Sequence, residues 1–170
     1  MKYEHQYLHC SEKLQKHLAA EIAEAFEVVS SIEWQDEFTY RDSAESDPKL
    51  HQQGYNAAME SEFRSRGWQS QPKLSDNPRL IGDFGKNLVF VEVQFGNSAT
   101  LYRDFYKFQY GVQNGLVSLN ILITPTTPKE FFPTRPSSVF NMAEYSLALR
   151  YFSVLPIAVP TLVIGLNPLN

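Results

Sequence analysis

Apolar residues recur along the chain at two different spacings, and the alternation between them outlines the fold. Leu14, Leu18, Ile22, Phe26 and Val29 fall on one face at helical spacing. They predict an amphipathic helix over 12–29, capped by Ser11 and carrying Glu12 in its first turn. A polar, acidic stretch without a period follows from Glu33 to Gln53 and reads as a loop. Tyr55, Met59 and Phe63 mark the buried face of a second helix over 56–66, stopped by Gly67. Leu80 to Phe84 reads as a short strand and Gly85-Lys86-Asn87 as a turn. Leu88 to Gln94 has period two, with Val89, Val91, Val93 and Phe95 on one face and Leu88, Phe90, Glu92 and Gln94 on the other. A third helix over 99–110 carries Leu101, Phe105 and Phe108. Leu116 to Thr124 is an apolar run suited to a central strand. After a proline-rich loop over 125–136, Ser138 caps a fourth helix ending near 152. Ile157 to Leu166 is the last strand, and Pro160, which lacks an N–H, places that strand or its start near a sheet edge. The order α, α, β, β, α, β, α, β predicts an α/β protein with one mixed sheet flanked by helices, and 170 residues suit one domain spanning 1–170.

Composition narrows the class. A hydrophobic fraction of 43% and an aromatic fraction of 14% indicate a folded globule. The single Cys10 has no disulfide partner and no cysteine companion for a metal, which points to a reducing, cytoplasmic setting. The longest apolar stretch, over 157–166, is too short to cross a bilayer. A net charge of −4 argues against binding nucleic acid by bulk basicity alone. The acidity is concentrated before residue 83: residues 1–82 hold 14 acidic and 9 basic side chains, and residues 83–170 hold 5 and 6.

The candidate chemistry lies at the border of those halves. A hairpin brings Asp83 beside Glu92, and with the main-chain carbonyl of Val93 they form a hard oxygen site suited to Mg²⁺. A cation held there can polarise a phosphate and acidify water. Gln94 can orient water or phosphate by hydrogen bonding but cannot act as a general base. On pattern alone the same residues are equally a turn Asp before Gly85 and the polar face of an amphipathic strand.

The segment Asp83-Phe84-Gly85-Lys86, followed by Val91-Glu92-Val93-Gln94-Phe95, resembles the active-site hairpin of the BglII/BstYI group of type II restriction endonucleases, within the PD-(D/E)XK nuclease superfamily. In that group Gln stands where most of the superfamily has Lys. The similarity extends upstream through Gly54, Asn56, Glu62 and Trp68. Downstream it runs through Leu122-Ile123-Thr124, Phe132-Pro133, Ser137-Ser138 and Val159-Pro160 to Gly165-Leu166. It implies a restriction-endonuclease-like core, with Asp83 and Glu92 binding Mg²⁺ (or Mn²⁺ as a substitute) and Gln94 completing the site. Glu62 matches an accessory acidic position on the preceding helix, and is otherwise an exposed helix charge. Asn97 resembles a position that approaches bases, and is otherwise a cap for the third helix. Arg135, Ser137 and Ser138 lie in the loop matching a major-groove recognition loop, where arginine can read guanine through O6 and N7. Otherwise Ser138 caps a helix and Arg135 is solvated. Lys86, Arg103 and Lys107 are candidate phosphate contacts or plain surface charges.

The resemblance thus implies a homodimer acting on double-stranded DNA at a palindromic, GATC-centred sequence, with a cognate DNA methyltransferase in the same system. A repair or structure-specific nuclease on the same core and a non-catalytic DNA-binding module are the alternatives. Discrete plasmid fragments distinguish the first, and cleavage with Mg²⁺ but not EDTA excludes the second.

Overall fold

A computed structural model describes residues 1–36, 39–40, 49–135 and 137–168. The chain opens with β1 (Tyr3–Leu8), then α1 (Glu12–His17) and α2 (Ala19–Ser31). The single helix expected over 12–29 is therefore divided at Leu18, which closes α1 by donating its N–H to Leu14 O and begins α2. Ser11 caps α1 as its side chain predicts, accepting from Leu14 N at 3.2 Å. The two-residue strands β2 (Thr39–Tyr40) and β3 (Lys49–Leu50) pair antiparallel. Much of the intervening acidic segment lies outside the described residues. Helix α3 (His51–Ser65) starts earlier than the pattern suggests and buries Tyr55, Met59 and Phe63.

Short strands follow: β4 (Gln69–Ser70), β5 (Lys73–Asp76), β6 (Arg79–Ile81), β7 (Phe84–Lys86) and β8 (Val89–Val93). The expected strand over 80–84 is thus broken at Gly82-Asp83, and the hairpin turn is Asn87-Leu88 rather than residues 85–87. Asn87 adopts a positive φ of 51°, which its short polar side chain tolerates. Gly82 is required at the break because a methyl group there would overlap the Phe90 ring. Helix α4 (Thr100–Gln113), β9 (Leu119–Pro125), the short α5 (Pro128–Phe131), a 3₁₀ turn over Ser137–Asn141, α6 (Tyr145–Val154) and β10 (Thr161–Leu166) complete the chain. The helix expected from Ser138 to 152 is therefore a 3₁₀ turn followed by a later helix.

Six strands form a mixed sheet in the order β1-β10-β9-β8-β7-β4. The three central strands β10, β9 and β8 are parallel, and the flanking pairs are antiparallel. Strand β10 is not at the edge. Pro160 precedes it, so no ladder N–H is lost within the strand, and β1 covers its outer side. Sequence reading missed β1 because its side chains show little apolar alternation; main-chain pairing to β10 holds it.

Helices cover both faces of the sheet, which is why Leu119 to Ile123 is continuously buried. On one face Val89, Val91, Ile121, Ile123 and Ile164 pack with Ile22, Val28, Met59 and Phe63 of α2 and α3. On the other, Phe90, Leu122 and Val163 pack with Leu101, Phe105 and Phe108 of α4 and Phe152 of α6. The even-numbered face of β8 therefore lies under α4, and any polar residue on it needs a partner. Among the described residues no helix is long and apolar enough to cross a membrane.

Candidate active site

Glu92 and Gln94 lie on that even-numbered face and are only 4% and 8% exposed. They are not a solvated strand face. Their partners come from α4, whose buried face carries Asp104 and Lys107 among Leu101, Phe105 and Phe108. Lys107 Nζ donates to Glu92 Oε1 at 2.7 Å and to Asp104 Oδ1 at 3.1 Å. Gln94 Nε2 donates to Asp104 Oδ2 at 2.5 Å, and Gln94 Oε1 accepts from Gly96 N at 2.8 Å. Thr124 Oγ1 donates to Gln94 O at 3.0 Å.

Asp83 sits at the break between β6 and β7. Its main chain is fixed by Asp83 N to Val91 O at 3.1 Å and Gln71 N to Asp83 O at 2.9 Å. Its carboxylate accepts from Val93 N at 2.7 Å. Burial pushes the Asp83 carboxyl above its ordinary range, with the Val93 N–H acting in the opposite sense. Burial pushes Glu92 well above its ordinary range, and the negative charges of Asp83 and Asp104 add to the rise against Lys107.

This charge count is the test of fit for a divalent cation. With every group ionised, Asp83, Glu92 and Asp104 face one ammonium, which leaves an excess of two negative charges in a largely buried cluster. Burial is the first cause of the elevated carboxyls, and the neighbouring negative charges add to it. An all-oxygen donor set with this charge suits Mg²⁺, which keeps several waters and needs few protein ligands. Among the described residues no group of three or more His, Cys, Asp or Glu side chains is arranged to hold a metal. A cation at Asp83 and Glu92 would therefore need main-chain oxygen and water to complete its coordination shell.

A cleft opens beside Asp83, lined also by Asn56, Glu60, Ser70, Gln71, Phe84 and Val93. Asn56 and Glu60 are one helical turn apart on α3, and Ser70 Oγ donates to Glu60 Oε1 at 3.1 Å. Glu62 is not among these residues. Its carboxylate meets the Arg66 guanidinium at 2.5 Å, because the helix turns position 62 away from Asn56 and Glu60. Glu60 was missed although its spacing from Asn56 was readable.

The basic residues expected at phosphates separate. Lys107 is 4% exposed and committed to Glu92 and Asp104, so it is not a surface cation. Its i+3 spacing from Asp104, which itself falls three residues after Leu101 and four before Phe108, was the available signal. Lys86 bonds both carboxylate oxygens of Glu24, at 2.8 and 2.7 Å, and Arg66 O at 2.8 Å. Arg103 is exposed on α4. A second pocket brings Asn97 and Arg135 together with Gln52, Phe95, Gly96, Asn141 and Met142. Asn97 Oδ1 accepts from Ala99 N at 2.8 Å and so orders the start of α4. Arg135 donates to Gln52 Oε1 at 3.1 Å and lies over the Phe132 ring at 5.5 Å. The side chains of Ser137 and Ser138 lie outside those described.

The comparisons with known proteins agree with this fold. A family model described as restriction endonuclease BglII/BglIII matches residues 3–166. A crystal structure of restriction endonuclease BglII complexed with a DNA 16-mer superposes with a TM-score of 0.72 at 19% identity, covering 98% of this chain and 77% of that one. A crystal structure of free BglII gives a TM-score of 0.67 at 20% identity, covering 98% and 79%. Comparison with curated proteins returns no match. With its family model spanning nearly the whole chain, the protein belongs to the BglII/BglIII restriction endonuclease family and is a type II site-specific deoxyribonuclease.

Proposed function

We propose that this endonuclease hydrolyses double-stranded DNA at a palindromic sequence in the cytoplasm, using Mg²⁺ held by Asp83 and Glu92 with the Val93 carbonyl. The buried excess of negative charge around Asp83, Glu92 and Asp104 carries this reading. When bound, the cation supplies a Lewis acid for the scissile phosphate and acidifies the attacking water. The chain's own residues position the reactants. The Val93 N–H orients Asp83, Lys107 orients Glu92, and Asp104 with Gly96 fixes the amide of Gln94. Gln94 is neutral and cannot accept the proton of the attacking water, so its contribution is a hydrogen bond. The bond to Gly96 also links it to the Gly96-Asn97 turn, at the pocket we assign to base reading by Asn97 and Arg135.

The test is incubation of unmethylated plasmid with Mg²⁺ or with EDTA, followed by run-off sequencing. Discrete fragments ending at one palindrome are expected, with a GATC-centred site the first to examine. A smear would instead indicate a structure-specific nuclease. Protection of host DNA in this reading falls to a cognate methyltransferase.

The elevated carboxyls predict a pH dependence. Without cation, the neutral forms of Asp83 and Glu92 favour the fold below the ordinary carboxylate range. That contribution is lost as pH rises through their raised values in the folded protein. Cation binding requires the ionised forms and releases protons. The thermal stabilisation by Mg²⁺ should therefore be larger at pH 8 than at pH 6; equal shifts at the two values would contradict it.

A palindromic cutter needs two active sites related by a twofold axis. Tyr102 and Tyr106 on α4 are 51% and 52% exposed, and Val154 at the end of α6 is 73% exposed. Tyr102 also stacks on Tyr151 of α6 at 4.9 Å. We assign this aromatic patch to the contact with a second copy. Tyr106→Asp should yield monomers in light scattering and leave double-strand cleavage impaired. A Tyr106→Asp protein that remains dimeric would place the interface elsewhere.

A further inference from the structure

Lys107 is the one buried cation among the described groups of the candidate site, and it is anchored from both sides. Asp104, completely buried and one helical turn earlier on α4, holds the ammonium at 3.1 Å. The same ammonium holds Glu92 Oε1 at 2.7 Å. A lysine chain confined in this way cannot follow solvent. It acts as a fixed point set by α4 against β8. The Glu92 carboxylate is thereby restrained about its last torsion, with one oxygen committed to α4.

We infer that Lys107 is a positioning residue of the cation site, an ammonium anchored on Asp104 that clamps one oxygen of Glu92 and leaves the other to meet a divalent ion beside Asp83. This rests on the assignment of Asp83 and Glu92 as the cation ligands. The clamp also accounts for a cation on the same face as Gln94, a position whose amide supplies no charge. Partners that orient a metal ligand from outside typically change affinity by roughly 10–100-fold when removed.

The charges allow a clean test. Lys107→Met alone would leave Glu92 and Asp104 without their counter-charge in the core. Lys107→Met combined with Asp104→Asn removes one charge of each sign, so the excess negative charge around Asp83 and Glu92 is unchanged. An altered cation affinity in this double variant then reports loss of orientation rather than loss of field. Mn²⁺ binding is measured without DNA by electron paramagnetic resonance on the wild type, Glu92→Gln and the double variant, with folding checked by circular dichroism. Glu92→Gln should abolish the tight site, and the double variant should weaken it by about tenfold or more. A folded double variant with wild-type Mn²⁺ affinity overturns the inference while leaving the ligand assignment intact. Tight binding that survives Glu92→Gln overturns the ligand assignment itself.

A measurement on the unaltered protein decides the matter if the double variant does not fold. The side-chain ¹⁵Nζ resonance of Lys107 is followed by NMR while Mg²⁺ is added. It should shift as the site fills, because its partner oxygen belongs to a ligand. A resonance that stays in place through saturation overturns the clamp.

Discussion

Asp83→Asn and Glu92→Gln are each expected to abolish DNA cleavage in Mg²⁺ while the protein remains folded. Both changes preserve shape. The Asn carbonyl oxygen can still accept from Val93 N, as Asp83 Oδ2 does at 2.7 Å. A Gln at position 92 can still accept from Lys107, whose second partner Asp104 is untouched. What disappears is one negative charge from a cluster that burial already disfavours. The metal-free fold should therefore tolerate the neutral amides. The loss of rate should exceed the roughly 10–100-fold associated with removing an outer partner, because these are the proposed ligands themselves. DNA binding should persist or strengthen, since negative charge near the phosphates is reduced. Cleavage, DNA retardation and thermal melting on the same preparations provide the check. Wild-type cleavage rates in either variant would show that the site assignment is wrong.

Gln94→Ala is expected to slow cleavage by roughly 10²–10³, the usual cost of losing one preorganised hydrogen bond to developing charge. Its effect on DNA affinity should be small. The structure adds a stability cost, because truncation leaves Asp104 Oδ2 without its 2.5 Å donor and Gly96 N without its 2.8 Å acceptor. A buried group left in this way, here Asp104, costs about 1–3 kcal/mol, and the half-buried Gly96 N–H less. Single-turnover cleavage at saturating protein, below the lowered melting temperature, separates the two effects. Gln94→Glu is a sharper probe. Its added carboxylate would face Asp104 and enlarge the negative excess, changing the preference between Mg²⁺ and Mn²⁺. Near-wild-type rates for Gln94→Ala would reduce position 94 to a structural link between β8 and α4.

The hairpin of the candidate site was readable from residues because its information is local. Period-two alternation from Val89 to Gln94 placed Glu92 and Gln94 on one face of a strand, and the neighbouring strand brought Asp83 to them. The run from Leu119 to Ile123 likewise announced a strand covered on both sides. Turn positions were less legible: Gly85 and Lys86 stay in the ladder, paired with Phe90 and Val89, and Asn87-Leu88 reverses the chain.

What the amino-acid sequence determined by itself was the set of elements with strong apolar periods and the motif carried on one strand. Tertiary structure alone decided which charges meet. Lys107 read as a surface cation because charge is usually solvated, yet α4 lies across the even-numbered face of β8 and buries it against Glu92. Glu62 read as part of the site, yet the rotation of α3 presents Asn56 and Glu60 to the cleft and gives Glu62 to Arg66. Strand β1 had no pattern of its own and exists through its pairing with β10. For Lys107 and β1 the deciding interaction joins residues far apart in sequence, and for Glu62 it is the packing of α3 that turns its side chain from the cleft to a neighbour on the same helix. Local periodicity reports which side of an element is buried, but not which distant side chain it is buried against.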